Sequence, residues 1–273
     1  MGLRINTNVP ALNATRQLNR TSLRLNRSLE RLSSGLRINR AADDAAGLAI
    51  AEGFRSQVLG YRVAQRNSQD GISMVQTAEG ALSETTNILQ RIRELAVQAS
   101  TGTSSEANRL ALQDEVEELL AQIDDIATDG QFNGISILDG STPVVTIQAG
   151  AQIGQTLAIN LQGADSNDLS IDTGFAVSAA AEAATAIQQV DSALATVSSI
   201  RAGLGAAQNR LEFTIATLAI QEENSSASES AIRDANIALE TIEFTRNQIL
   251  IAAGTSILAQ ANVMPQNALT LLG

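Results

Sequence analysis

The placement of proline constrains this chain more than any other feature of its sequence. The three prolines lie near the two ends and close to the middle, at Pro10, Pro143 and Pro265. Because a proline inside a helix costs roughly 3 kcal/mol, two long halves of the chain remain free to be helical. Both halves then carry heptad stripes of mostly apolar residues: Val75, Ala78, Leu82, Thr85, Leu89, Ile92, Ala96 and Ala99 in the first, and Val190, Ala193, Val197, Ile200, Leu204, Ala207, Leu211, Thr214 and Leu218 in the second. Since such stripes are buried on partner helices, the sequence predicts a mainly α fold, a long antiparallel helical coiled-coil rod with both termini at one end.

The composition excludes most catalytic chemistry. The 273 residues include no Cys, His or Lys, and aromatic residues make up only 2%. This removes thiolate nucleophiles, imidazole acid/base catalysis, Schiff bases and the usual soft metal ligands. Two adjacent carboxylate pairs remain, Asp43 with Asp44 and Asp124 with Asp125, but neighbours on a helix point about 100° apart and do not converge on one ion. We therefore expect a protein that is not an enzyme and that has no cofactor and no metal.

Charge is distributed unevenly along the chain. Residues 1–66 carry a net charge of +7 and residues 67–273 a net charge of −18, within a total of −11. The first predicted helix ends around Ser33, Ser34 and Gly35. Between Leu12 and Leu36 a stripe of arginines lies roughly opposite the leucines: Arg20, Arg24, Arg27 and Arg31. A solvated or partner-facing surface accounts for this stripe. Nucleic acid is not expected as a partner, because no aromatic residue is interleaved to stack on bases and phosphate would repel the rest of the chain.

The other helices are predicted from breaks in the pattern. From Asp43 to about Ser100 the sequence predicts a single helix of about 55 residues. The polar run 100–105 predicts a turn, with Ser105 as the N-cap of a third helix. A fourth helix is expected from about Ala176 to about Glu223, and the Ser-rich stretch 224–230 is expected to be a hinge or break.

Between the two helical halves, residues at about 135–162 predict a small β-hairpin region at the far end of the rod. Asp-Gly and Asn-Gly dipeptides flank a short apolar run, and alternation at Val144 to Gln148 and at Leu157 to Leu161 is typical of paired strands. Residues 163–174 are then expected to form a short polar linker.

The last segment, residues 247–273, carries no charged side chain. Polar residues interrupt it before it reaches the 18 apolar residues of a membrane span, so we expect no membrane insertion. The interpretation we favour is a helix buried among other copies of the protein. Because the first residues lack the apolar core of a signal peptide, export by that route is not expected.

Five stretches resemble bacterial flagellin and follow the family's order. They are RINTNVPALNA from Arg4, SSGLRINRAADDAAGLAIAE from Ser33, QRIRELAVQAS from Gln90, QFNG from Gln131 and AGTSILAQANVMPQNALTLLG from Ala253. The resemblance implies a structural subunit that is exported unfolded through the flagellar type III channel and assembles into an extracellular filament used for motility. Implied partners are other copies in a homo-polymer, an export chaperone, the cap and junction proteins, and a host Toll-like receptor.

The resemblance also implies a domain organisation. Residues 1–42 and 235–273 would be the terminal helices of an inner-core domain, and residues 43–234 an outer-core helical rod. Only about Pro143 to Phe175 occupies the position of the large variable domains of longer relatives, so no large variable domain is expected.

A tube of such subunits would have a lumen, and we expect four uncharged polar residues to lie near it, with packing between helices as their alternative role: Gln260, Asn262, Gln266 and Asn267.

Two sets of site residues are carried over from the family. The residues matching the innate-receptor contact are Arg91, Leu95, Gln98 and Glu115; the first three share a helix face at i, i+4, i+7 spacing. Packing against the next subunit is the alternative role of that face. Three C-terminal leucines match an assembly and inflammasome-type feature: Leu269, Leu271 and Leu272. A filament-junction protein and a soluble coiled-coil adaptor that binds an acidic partner are the alternative functions.

Overall fold

The computed structural model describes residues 7–172 and 175–270, without the side chains of 264–270. The helices in this part are α1 (Val9–Ser34), α2 (Ala45–Ser100), α3 (Glu106–Asp129), α4 (Ala180–Arg233) and α5 (Ile237–Thr270). Four short strands lie between α3 and α4: β1 (Gln131–Phe132), β2 (Ile135–Ser136), β3 (Val144–Gln148) and β4 (Thr156–Asn160). The prediction of a mainly α fold with a small β-hairpin region is therefore confirmed.

Residue contacts divide the chain into two units. The terminal unit comprises residues 1–56 and 224–273, and the central unit comprises residues 57–223. The division into an inner-core domain of 1–42 plus 235–273 and an outer-core domain of 43–234 stays a prediction, because it concerns positions in an assembly.

The first helix begins and ends where the local chemistry requires. The Asn8 side chain accepts a hydrogen bond from Ala11 N (3.1 Å), and Pro10 occupies the first turn, where no intrahelical donor is missed. Gly35 ends the helix in the left-handed region at φ 73°, and its N–H bonds to Arg31 O. Ser105 caps α3 as expected, accepting from Asn108 N (3.3 Å).

The heptad stripes form the core of the central unit. Every apolar member of both predicted stripes is buried, and Thr85 is buried with them. The ion pairs Arg93–Asp191 (2.7 Å), Arg201–Glu79 (3.4 Å) and Arg62–Glu222 (2.6 Å) show that α2 and α4 run antiparallel in this unit. The antiparallel packing read from the stripes is thus present where α2 and α4 meet.

The hairpins follow turn chemistry. Strands β3 and β4 pair antiparallel, with Ile147 opposite Leu157. Strand β4 begins at Thr156, one residue before its predicted start at Leu157. Strands β1 and β2 are joined by Asn133 and Gly134, both at positive φ (51° and 79°), as a two-residue hairpin turn requires.

The predicted hinge or break at residues 224–230 is wrong. Helix α4 continues through this stretch to Arg233. The Ser228 hydroxyl donates to Asn224 O (2.8 Å), one turn earlier, so the serine is accommodated within the helix. The break between α4 and α5 lies instead at residues 234–236.

The expectation of a polar linker at residues 163–174 is also wrong. Ala164, Leu169 and Ile171 are buried in the core of the central unit. Asp124 on α3 holds this segment by accepting from Ser166 N (2.8 Å) and Ser166 Oγ (3.0 Å). The segment carries polar residues outward and apolar residues inward, and α4 accordingly begins at Ala180 rather than near Ala176.

Candidate assembly surface and receptor-contact face

The terminal unit is built on the antiparallel pair α1 and α5. The Asn8 amide donates to Ala261 O (2.9 Å) near one end of the pair, and Arg31 forms an ion pair with Glu240 (3.5 Å) near the other. The seam between the helices buries Thr21, Ser28, Asn247 and Ala261. Three of these four residues are polar, so this seam is not a hydrophobic core comparable with that of the central unit.

The segments that follow α1 and precede α5 are joined to each other. Arg37 N donates to Arg233 O (2.7 Å) and Ala235 N donates to Gly35 O (2.9 Å), so the two segments form a short antiparallel bridge. The Arg233 side chain also contacts Glu52 at 3.0 Å. The α1–α5 pair is therefore tied to the adjoining ends of α2 and α4 within the terminal unit.

The outward surface of α5 carries many large apolar side chains. Seven large aliphatic side chains are exposed, each by 46% or more: Ile237, Leu239, Ile242, Ile249, Leu250, Ile257 and Val263. The partner helix α1 adds Leu12, Leu23 and Leu29. A soluble monomer seldom leaves so much contiguous apolar surface in water, so this surface is typical of a subunit that other chains cover.

The predicted receptor-contact residues lie at the α2–α3 hairpin. The turn is fixed by Arg109, whose Nε donates to Ala99 O (2.9 Å) and whose Nη2 donates to Thr101 O (3.0 Å). This brings Arg91 against Glu115, with Arg91 Nη2 at 2.8 Å from Glu115 Oε1. The hydrogen bond to Glu115 raises the pKa of the Arg91 guanidinium, with a smaller contribution from Glu94. Arg91, Gln98 and Glu115 are exposed and form one polar surface.

Leu95 does not belong to that exposed surface. Its side chain is only 1% exposed and packs in the core of the central unit. The i, i+4, i+7 spacing places Leu95 at the edge of the Arg91 face, on the side where that face meets the core. In this structure Leu95 packs in the core, and its part in a receptor contact stays a prediction.

The C-terminal candidates are placed only in part. Gln260 and Asn262 are exposed on α5. The side chains of Gln266, Asn267 and Leu269 lie outside the described residues, as do Leu271 and Leu272 altogether. The lumen-facing role and the inflammasome-type feature therefore stay predictions.

The comparison with known families decides the identity. A profile of the bacterial flagellin N-terminal helical region matches residues 5–142, and a profile of the bacterial flagellin C-terminal helical region matches residues 187–272. This chain is a flagellin. A flagellin of Bacillus subtilis is 47% identical over 99% of this chain and 100% of that protein. The flagellar filament 31.3 kDa core protein of Treponema maltophilum is 42% identical over 98% of this chain and 99% of that protein.

Solved structures agree with the family. The crystal structure of Bacillus cereus flagellin has a TM-score of 0.51 at 33% identity, covering 56% of this chain and 88% of that chain. This flagellin is a structural subunit of the bacterial flagellar filament, which is extracellular, and the family is not one of enzymes. The junction-protein and adaptor alternatives are not favoured, since flagellins match nearly the whole chain.

Three of the four carboxylates in the two adjacent pairs serve the fold of this flagellin. Asp43 Oδ2 accepts from the backbone N–H groups of Arg40 (3.1 Å) and Asn39 (3.3 Å), and the Arg40 bond is the main reason that its pKa is lowered. Asp44 caps α2 by accepting from Gly47 N (2.9 Å). Asp124 holds Ser166. Across residues 7–172 and 175–270, no cluster of three or more acidic residues is arranged to hold a metal, and no helix is long and apolar enough to cross a membrane.

Proposed function

We propose that this flagellin polymerises through α1 and α5 into a helical tube, after export as an unfolded chain. The observation that carries the proposal is the exposed apolar side chains of α5, seven of which keep 46% or more of their surface in water. Burying one such side chain contributes roughly 1.5–3 kcal/mol. A polymer supplies that burial, and the terminal unit alone does not.

Seeded polymerisation tests this proposal. Purified monomer is added to short filament fragments, and electron microscopy and sedimentation follow elongation. We expect filaments to lengthen above a critical concentration. A protein that stays monomeric beside competent seeds contradicts the proposal.

The same exposed surface supports the proposed partners before and during assembly. Apolar helices attract non-specific partners in the cytoplasm, so we propose that an export chaperone covers α5 until export. At the filament ends the same helices would contact the cap and junction proteins, which replace the missing neighbouring copies there. Co-purification of the chain with a chaperone from the producing cell, lost when α5 is deleted, tests the first of these contacts.

The exposed polar residues of α5 support a lumen-facing role. Gln260 and Asn262 present amides without charge, and we propose that they line the channel together with Gln266 and Asn267. A channel wall without charge neither binds basic segments of a passing unfolded chain nor repels its acidic segments. Replacing Gln260 by Glu or by Arg is expected to slow filament growth more than it weakens finished filaments, and unchanged growth with both replacements contradicts lumen exposure.

We also propose that a host Toll-like receptor binds monomeric flagellin at the polar surface of Arg91, Gln98 and Glu115. The support is the exposure of these three side chains and the ion pair that orients Arg91. An oriented arginine is a frequent anchor of protein interfaces. Leu95, which is buried in the core, would hold α2 in position and so support the placement of these exposed side chains. The leucines Leu269, Leu271 and Leu272 are proposed as the feature recognised by cytosolic sensors, to be tested by their joint replacement with alanine in a sensor-activation assay.

A further inference from the structure

Helix α1 presents a cationic surface that the carboxylates of its own unit leave unpaired. Arg16, Arg20, Arg24 and Arg27 are all exposed, and their spacings of four, four and three residues place them on one side of the helix. We call this surface the arginine face. None of the eight carboxylates of the terminal unit, all of which the structure describes, lies within 4.0 Å of these four guanidinium groups. The next arginine along, Arg31, is paired with Glu240 and so differs from them.

The arginine face is not an ordinary solvated surface. Leu12 lies one turn before Arg16 and Leu23 one turn before Arg27, and these leucines are 57% and 65% exposed. Like charges one turn apart destabilise an isolated helix by a few tenths of a kcal/mol per pair, so the arrangement does not serve the helix alone. Arginine mixed with exposed aliphatic side chains is the composition of a protein interface.

The acidic groups of the terminal unit are already engaged. Five of its eight carboxylates form ion pairs: Glu30, Glu52, Glu229, Glu240 and Glu243. The other three accept local hydrogen bonds: Asp43, Asp44 and Asp234. With 11 arginines, the terminal unit has a net charge of +3. A partner for the arginine face must therefore bring its own negative charge.

The central unit carries such charge in excess. Residues 57–223 hold 21 carboxylates against 7 arginines, a net charge of −14. In the polymer proposed above, other copies would bring this excess negative charge to the arginine face at high local concentration. Opposite potentials on two surfaces favour one docking register and suppress others.

We propose that the arginine face of α1 binds carboxylates of the central unit of a second copy in the filament. This contact would fix the alignment of neighbouring copies by charge pairing, in addition to the apolar burial of α5. The inference rests on the polymerisation proposed above. Nucleic acid would satisfy the same charge, but it does not supply the exposed leucines with apolar partners.

The absence of lysine allows a direct test. In Arg24→Lys the new lysine is the single side-chain amine of the chain, and its charge is kept. A zero-length carbodiimide condenses this amine with a carboxylate in ion-pair contact: an amide forms, and the carbodiimide becomes a urea by taking up the water. Filaments are grown from a mixture of unlabelled and ¹⁵N-labelled Arg24→Lys protein, treated, digested and analysed by mass spectrometry. Wild-type filaments, in which only the terminal amine can react, are the control.

We expect mixed-isotope crosslinks from the amine introduced at position 24 of one copy to a carboxylate within residues 57–223 of another, and none in monomer below the critical concentration. Crosslinks confined to one copy, crosslinks to carboxylates outside 57–223, or none in intact filaments overturn the inference. Because electron microscopy records filament formation separately, a failure of polymerisation is distinguished from a failure of this contact.

A charge-neutralised variant tests the contribution to assembly. Replacing Arg20, Arg24 and Arg27 by Gln is expected to raise the critical concentration at least about tenfold at 50 mM NaCl, and to remove most of its dependence on NaCl up to 500 mM. Replacing the same residues by Lys should return the critical concentration most of the way to the wild-type value. Gln at the exposed Arg66 and Arg210 of the central unit is the matched control and should change assembly by less than about twofold. Equal effects of the Gln triple and of this control overturn the inference.

Discussion

Leu18 on α1 fills the space that a side chain at Gly254 on α5 would need. A Cβ atom at position 254 would lie 2.7 Å from Leu18 Cδ2 and 3.1 Å from its Cγ. The two helices therefore approach closely at this level, and the glycine is required by packing across the seam. This close approach positions the exposed apolar side chains of α5 relative to α1.

The Leu18–Gly254 contact predicts the effect of a larger residue. Gly254→Val is expected to separate α1 from α5, because its branched side chain cannot fit beside Leu18, and such overpacking typically costs about 1–3 kcal/mol. Amide hydrogen exchange along α5 should accelerate, and the critical concentration for polymerisation should rise. Gly203 of α4 has no atom within 4 Å of an added Cβ, so Gly203→Ala should instead stabilise the monomer by about 0.5–1 kcal/mol in urea unfolding. Equal effects at the two glycines would contradict the packing role of Gly254.

Asp124 and Asp125 should respond differently to substitution. Asp124→Ala removes the acceptor of Ser166 N and Oγ, and Ser166 is only 4% exposed, so unpaired buried groups should cost about 1–3 kcal/mol of unfolding free energy. Asp125 is exposed, and Asp125→Ala should change the unfolding free energy by less than about 0.5 kcal/mol. Urea unfolding measures both variants. If both substitutions are neutral, Asp124 does not hold the 163–172 segment.

The pH dependence of stability follows from the few shifted carboxylates. The hydrogen bond from Arg62 lowers the pKa of Glu222, the N–H of Arg40 lowers that of Asp43, and the Ser141 hydroxyl lowers that of Asp139. A carboxyl whose pKa is lower in the folded state stabilises the fold above its unfolded pKa, and this contribution is lost as pH falls through the folded pKa. The contribution of Asp168 to the pH dependence has the opposite sign, because burial raises the pKa of its carboxyl.

Stability should therefore fall below about pH 4.5, where unfolded carboxyls begin to bind protons, and stay flat from about pH 6 to pH 9, because the chain has no His, Cys or Lys. Arg62→Gln should reduce the difference in urea midpoint between pH 7 and pH 3.5, while Gln at the exposed Arg66 should leave this difference unchanged. A midpoint that changes steeply between pH 6 and pH 9 would contradict this account.

Receptor recognition should depend on Arg91 and Gln98. Replacing both by alanine should lower the potency of monomeric protein on receptor-bearing reporter cells at least about tenfold, since a loss of about 1.4 kcal/mol suffices. Arg93→Ala is the matched control, because Arg93 is exposed two residues away but pairs with Asp191 on α4. Leu95→Ala is unsuitable, since a cavity in the core would cost about 2–5 kcal/mol and confuse folding with binding. A wild-type monomer that is silent at micromolar concentration would show that this surface serves filament packing alone.

The sequence predicts those parts of the fold that depend on periodicity and caps. The heptads from Val75 to Ala99 and from Val190 to Leu218 are buried as predicted, because proline-free apolar periodicity leaves few alternatives to a helix. The Ser-rich composition of residues 224–230 wrongly predicted a break in the helix. The Ser228 hydroxyl donates to the preceding turn there, and α4 continues. The packed 163–172 segment depends on a tertiary contact with Asp124, which no local pattern reveals.

The candidate site was predictable to a similar degree. Spacing correctly placed Arg91 and Gln98 on an exposed face, and the turn at Ser105 brings Glu115 beside Arg91. Spacing could not show that Leu95 is buried, because burial at the edge of a helix face depends on the positions of the neighbouring helices.

The central claim, polymerisation through the terminal helices, is tested most directly by deleting residues 239–273. Burial of about six Leu and Ile side chains in this segment would contribute on the order of 10 kcal/mol before entropy is counted, so the truncated chain should not form filaments. Circular dichroism should still show a cooperative helical transition from residues 44–223, whose core does not include the deleted segment. We predict no filaments by electron microscopy at any concentration up to tenfold above the wild-type critical concentration. Normal filaments from the truncated chain would contradict the account.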